Sequence, residues 1–120
     1  MKQDRSVALA RLGDELKRPP FHAVLRPRPV DVDPDSGTVA VALDYRDELA
    51  RAPDDKSFHG GVIATLIDLA GHAAVAVKIS KMAPTIDRRI DYCAHPSARA
   101  SSRAHGCSRL GACWHVLMWT

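Results

Sequence analysis

From Phe58 to Ser80 the chain reads FHGGVIATLIDLAGHAAVAVKIS: two glycines after a histidine, then a run with few polar side chains. Val62, Ile63, Leu66, Ile67, Leu69, Ala70, Ala73, Ala74, Val75, Ala76 and Val77 leave little room for a polar face. A helix that is apolar on nearly every side is normally buried. Asp68, Gly71 and His72 interrupt the run. It therefore reads as too short and too broken to span a bilayer, which takes about 20 mostly apolar residues. The expectation is one central helix wrapped by other elements. Asp68 falls in its middle, and a carboxylate there is costly unless something pairs with it or uses it.

A chain of 120 residues makes one domain with a modest core. The 17 Lys+Arg exceed the 14 Asp+Glu by three, and Arg99, Arg103 and Arg109 account for that excess. Up to Tyr92 the charges balance, so the basic character belongs to the tail and argues against a nucleic-acid partner. The chain opens without a basic and apolar leader, so the expected location is the cytoplasm.

In chain order, residues 4–18 read as a helix. Asp4 or Ser6 can cap it, and Val7, Leu9, Leu12 and Leu16 recur at helical spacing. Pro19-Pro20 forbids its continuation. Phe21–Val32 reads as an irregular strand broken by Pro27 and Pro29. Asp33-Pro34-Asp35-Ser36-Gly37 is a turn, with glycine free to take positive φ. Thr38–Tyr45 alternates and makes a hairpin with its predecessor. Arg46–Ser57 is polar, with a helical turn at Asp47–Arg51 and a loop at Pro53-Asp54-Asp55-Lys56. After the central helix, Thr85–Tyr92 (TIDRRIDY) has strand character. His22 has no evident partner.

A helix N-terminus presents unpaired N–H groups and a partial positive charge. Glycines there let a carbonyl oxygen come close to the backbone. His59-Gly60-Gly61 before an apolar helix is thus a candidate oxyanion site, with the electrostatics of acyl transfer. Asp68 is a candidate general base or nucleophile. It sits about 10 Å along the helix from those glycines by the rise per residue, too far to act on a carbonyl held at its own helix start. A second copy packed antiparallel would bring the groups together, so this reading requires a dimer. Asp68 and His72 also share a helix face and form a candidate pair; packing or interface duty is the plainer role for His72.

HGGVIATLID, AGHAAVAV and MAPTIDRRIDY together resemble the hotdog-fold acyl-CoA thioesterases of the phenylacetic-acid-degradation (PaaI) type. The resemblance covers about Gly37–Tyr92. It implies an α+β fold with an antiparallel sheet wrapped around the central helix, and a homodimer or homotetramer with its site at the dimer interface. His59, Gly60 and Gly61 match the family's HGG, in which a glycine N–H polarises the thioester carbonyl. Asp68 matches the family's acid, acting across the interface. Thr85 falls where some relatives carry a hydroxyl residue near the thioester, and Arg88 and Arg89 are candidates for CoA phosphates. Pro53 stands where many relatives carry Asn. The implied substrate is an acyl-CoA, with no metal or redox cofactor, no nucleic acid and no membrane. Two other readings stand beside hydrolysis: a truncated, inert member that only binds acyl-CoA or a partner, and a hotdog hydratase using Asp68 and His72.

Residues 1–92 thus form the family-like domain, and 93–120 a tail unlike it. The tail holds Cys93, Cys107, Cys113, Trp114 and Trp119 and no acid. Its cysteines lack zinc spacing, and an odd number in a cytosolic chain argues against a disulfide set. Cys93-Ala94-His95-Pro96 can be encoded so that one added base restores Leu-Arg-Pro, with which the family continues. A single-base frame change at Tyr92/Cys93 is therefore the reading of this segment. It predicts missing sheet strands and an unpaired edge; Cys113–Trp119 could supply a substitute strand but is not expected to.

Overall fold

The structure is a computed structural model and describes residues 4–81, 83–92, 102–107 and 113–119. Helix α1 spans Arg5–Lys17 and α2 His22–Leu25, followed by strands β1 (Arg28–Asp33) and β2 (Thr38–Asp44). A 3-10 turn at Asp47–Leu49 leads to β3 (Ala50–Ala52) and β4 (Asp55–Phe58). Helix α3 runs from Gly60 to Ile79, and β5 (Ser102–Cys107) and β6 (Cys113–Trp119) follow. The fold is α+β with a long central helix, as expected.

The main sheet has the order β1-β2-β6-β5, and β3 and β4 form a separate pair. Ladders β1–β2, β3–β4 and β5–β6 are antiparallel, whereas β2 and β6 run parallel, from Val39 opposite Trp114 to Asp44 opposite Trp119. Val39, Val41, Ala42 and Leu43 have no exposed surface because β2 is a central strand under α3. Leu66, Leu69, Ala70, Ala73 and Ala74 supply the helix side of that core, which Phe58, Ile63 and Leu49 extend. Leu12 and Leu16 of α1 are buried where that helix packs on β1.

Several local expectations hold. The Asp4 carboxylate accepts the Ser6 N–H and caps α1. Gly37 takes φ 74°, and a Cβ there would stand 2.8 Å from Lys78 Cβ, so the turn and the end of α3 meet at a residue that must be glycine.

Others are corrected. Phe21–Val32 is not one irregular strand: His22–Leu25 forms a helical turn before β1. The turn is fixed by Leu25, which is buried, and by the Arg46 guanidinium, which donates to the Leu25 and Val24 carbonyls. His22 does have a partner: its Nδ1 meets the Leu16 carbonyl at 2.8 Å. Asp55 and Lys56 lie in β4 and not in a loop. Thr85–Tyr92 forms no strand. It joins no ladder among the described residues, and Ile86 is 99% exposed. Side-chain contacts to α3 hold it, as described below. The central helix is also longer than the bilayer argument allowed. Gly60–Ile79 is long and apolar enough, by length and composition, to cross a membrane, with a mean hydropathy of 1.7. Its packing against β2 and β6 makes it the core helix of the fold.

The tail differs most from expectation. β6 pairs with the second edge of β2, so that edge is not left open. Ladder bonds are made by backbone groups, and Cys113–Trp119 is rich in the β-branched and aromatic types that suit strands. The Cys113 N–H also donates to the Gly37 carbonyl at 3.2 Å, which sets where the ladder begins. Cys113 is disulfide-bonded, against the sequence argument, and its register partner across the hairpin is Cys107. Cys93, Arg99 and Arg109 lie outside the described residues.

Candidate active site

His59 begins the site. Its backbone is extended, with φ −60° and ψ 138°, and its N–H donates to the Leu49 carbonyl at 2.8 Å. The 3-10 turn thereby fixes where α3 starts. The ring turns back, and Nδ1 accepts the Gly61 N–H at 2.9 Å. An N–H donates, so Nδ1 carries the lone pair and the neutral ring holds its proton on Nε2. The N–H expected to face a substrate carbonyl is thus capped by His59. The Gly60 N–H has no partner among the described residues. The Tyr92 ring lies over Gly60, 3.8 Å from where a Cβ would stand, and its hydroxyl donates to the Gly60 carbonyl at 2.9 Å.

Gly60, Ala64, Asp68 and His72 are spaced by four and form one stripe along α3. Residues 83–92 run back along that stripe in the opposite direction. His72 Nδ1 meets the Ala83 carbonyl at 2.8 Å. The Arg88 guanidinium donates to the Ala64 carbonyl at 2.9 Å and pairs with Asp68 at 3.0 Å. Tyr92 closes the far end on Gly60. Glycine and alanine at the first two stations of the stripe let the segment lie close to the helix. The reversal is made at Ser80, which takes a left-handed conformation with φ 55° at the end of α3.

Asp68 is therefore not a buried charge. Its side chain is 40% exposed, and a cation of its own chain meets it. Asp68 and the His59-Gly60-Gly61 turn lie on one helix about 10 Å apart by the helical rise, so one chain does not bring them together. Nor are Asp68 and His72 joined, because His72 bonds to Ala83 instead. Thr85 is exposed. Arg89 is exposed and pairs with Asp91 at 3.2 Å. Of the three residues assigned to substrate, Arg88 alone reaches the helix stripe.

No family model matches the chain, and no curated protein matches it. A solved structure does: an X-ray structure of a protein from the thioesterase superfamily, with a TM-score of 0.68 and 32% sequence identity. The match covers 76% of this chain and 67% of that one. The chain belongs to the thioesterase superfamily. The hotdog architecture expected from the HGG-to-Asp68 pattern is the architecture of this superfamily member.

What sequence reasoning missed in this thioesterase-superfamily chain is the cover over the stripe. The sequence offers Arg88 for phosphates and no role for Tyr92, whereas both hold residues 83–92 on α3. The available signal was the spacing itself: small residues four apart on an apolar helix mark a line along which another segment can pack.

Proposed function

We propose that this protein is a PaaI-type acyl-CoA thioesterase acting as a homodimer or homotetramer in the cytoplasm. The observation that carries the reading is the arrangement on α3. His59-Gly60-Gly61 stands at its positive end, and Asp68 lies two turns along on a half-exposed stripe. A second α3 packed antiparallel would set the partner's acid beside the glycine turn. The thioester carbonyl oxygen would then lie on backbone N–H groups at the helix start, Gly61 first with Gly60 beside it, where negative charge develops during attack. The Asp68 carboxylate would take a proton from the attacking water, and the collapsing intermediate would expel CoA thiolate and leave the free acid. In this reading Thr85 lies near the thioester, Arg88 and Arg89 meet CoA phosphates, and no metal or redox cofactor takes part.

For this site to work, two contacts must exchange: His59 must leave the Gly61 N–H, and Arg88 must share or release Asp68. The second reading rests on that same pair of contacts. If both persist in the assembled protein, the member is inert and only binds acyl-CoA or a partner. CoA-thiol release from a panel of acyl-CoA thioesters separates the two, together with the mass of the particle in solution. The hydratase reading finds less support, because His72 Nδ1 meets the Ala83 carbonyl and not Asp68.

Residues 93–120 are read as the product of a one-base frame change at the Tyr92/Cys93 junction. Their composition and the recoverable Leu-Arg-Pro support this. The coding DNA across positions 90–96 tests it: an in-frame codon run with no missing base would end the idea.

A further inference from the structure

A cavity of about 370 Å³ lies between α1 and α3 and meets the Asp68 stripe only at His72. It exists because the two helices rest on different parts of the sheet. α1 is seated on β1 by Leu12, Leu16 and the Arg5–Asp31 pair, whereas α3 lies on β2 and β6. The wall is apolar: Leu12 and Leu16 on one side, Leu69, Ala73, Ala76 and Val77 on the other. The two alanines are what leave the hollow. Its volume is within the range of small-molecule sites, about 300–1,000 Å³.

The charged groups of the lining are Arg11, Arg18 and Glu15. Arg11 has no ion-pair partner among the described residues. Glu15, the one acid of the lining, is engaged by Arg18 at 3.1 Å. His22 and His72 also line the cavity, and each meets a backbone carbonyl through Nδ1. A carbonyl only accepts, so both rings hold a proton on Nδ1 and keep Nε2 uncommitted. Among the described residues the lining thus offers the Arg11 guanidinium without an ion-pair partner and two imidazoles, with Glu15 engaged by Arg18.

We infer that this cavity is a binding site for an aliphatic monocarboxylate, with the chain between Leu16, Leu69, Ala73 and Ala76 and the carboxylate at Arg11. The inference stands apart from the thioesterase reading, since Asp68, Gly60 and Gly61 do not line the cavity. The ligand class is that of the acid a thioesterase releases.

Calorimetric titration of the full chain with octanoate and octylammonium tests it. Octanoate should bind saturably, one per chain, and octylammonium should not. Ala76→Phe, which fills the hollow from a half-buried position, should abolish binding. Arg11→Gln, at an exposed position that leaves the fold intact, should weaken it about tenfold, the scale of one hydrogen bond to a charged group. Asp68→Asn should bind octanoate as the unaltered chain does. Non-saturable octanoate binding overturns the site, as does equal binding of the cationic amphiphile. So does full affinity in an Ala76→Phe chain with unchanged circular dichroism, or loss of octanoate binding in a folded Asp68→Asn chain.

Discussion

Arg88 and Asp68 form an ion pair at 3.0 Å, and through it residues 83–92 are fastened to the middle of α3. The same guanidinium donates to the Ala64 carbonyl one turn earlier, so a single side chain bridges two stations of the stripe. Both partners are about two-fifths exposed, with side-chain values of 39% and 40%. An ion pair so exposed contributes little to global stability. Arg88→Ala should therefore lower the unfolding free energy by no more than about 1 kcal/mol. It should speed amide hydrogen exchange in residues 83–92 far more than in α3. Hydrogen exchange read by mass spectrometry measures both.

The turn between β1 and β2 is held to one residue type. Gly37→Ala places a methyl group against Lys78 at a positive φ. The cost should exceed the roughly 0.4–1 kcal/mol by which the same change helps where the backbone suits alanine. Urea unfolding of the two chains gives the difference, and the loss should come with weakened pairing at the Cys113 end of β6, whose N–H uses the Gly37 carbonyl.

Leu66 has no exposed surface and lies on the buried side of α3. Leu66→Ala should destabilise the fold by about 2–5 kcal/mol, the range for a leucine cut back in a packed core. Chemical denaturation monitored by circular dichroism is the measurement.

Acid should loosen α1. The hydrogen bond from Arg5 holds the Asp31 carboxyl below its ordinary value of 3.8, with the Val32 N–H adding to the effect. A carboxylate whose folded pKa is depressed gives stability that is present above its unfolded pKa and is lost as pH falls through the folded value. Stability should thus decline below about pH 4, and Asp31→Asn should flatten that decline while costing stability at neutral pH. Unfolding free energies measured from pH 2 to 7 in both chains test the sign.

The parts of the fold legible in the sequence were those set by local rules. The β1–β2 hairpin followed from Gly37 and the alternation of Val39, Val41 and Leu43, and α1 from Asp4 and its apolar spacing. Helix α3 followed from its apolar run, and the α+β class from the pattern around it. TIDRRIDY within residues 83–92 has a strand's alternation, but a strand also needs a ladder partner, which its own sequence does not supply. β6 was undervalued for the converse reason: β2 offered an open edge, and backbone pairing asks little of the side chains. At the site, sequence placed His59, Gly60, Gly61 and Asp68 on one helix. It did not show that His59 caps Gly61 or that Arg88 meets Asp68, because those contacts depend on how the chain turns at Ser80.

The central claim is that Asp68 carries thioester hydrolysis. The measurement is CoA-thiol release from acyl-CoA substrates by the unaltered chain and by Asp68→Asn, at equal concentration and with matching circular dichroism. The unaltered chain should turn over substrate and the variant should lose about 10²–10⁴-fold, the scale of a general base removed. Equal turnover by both chains, or none by either, would contradict it.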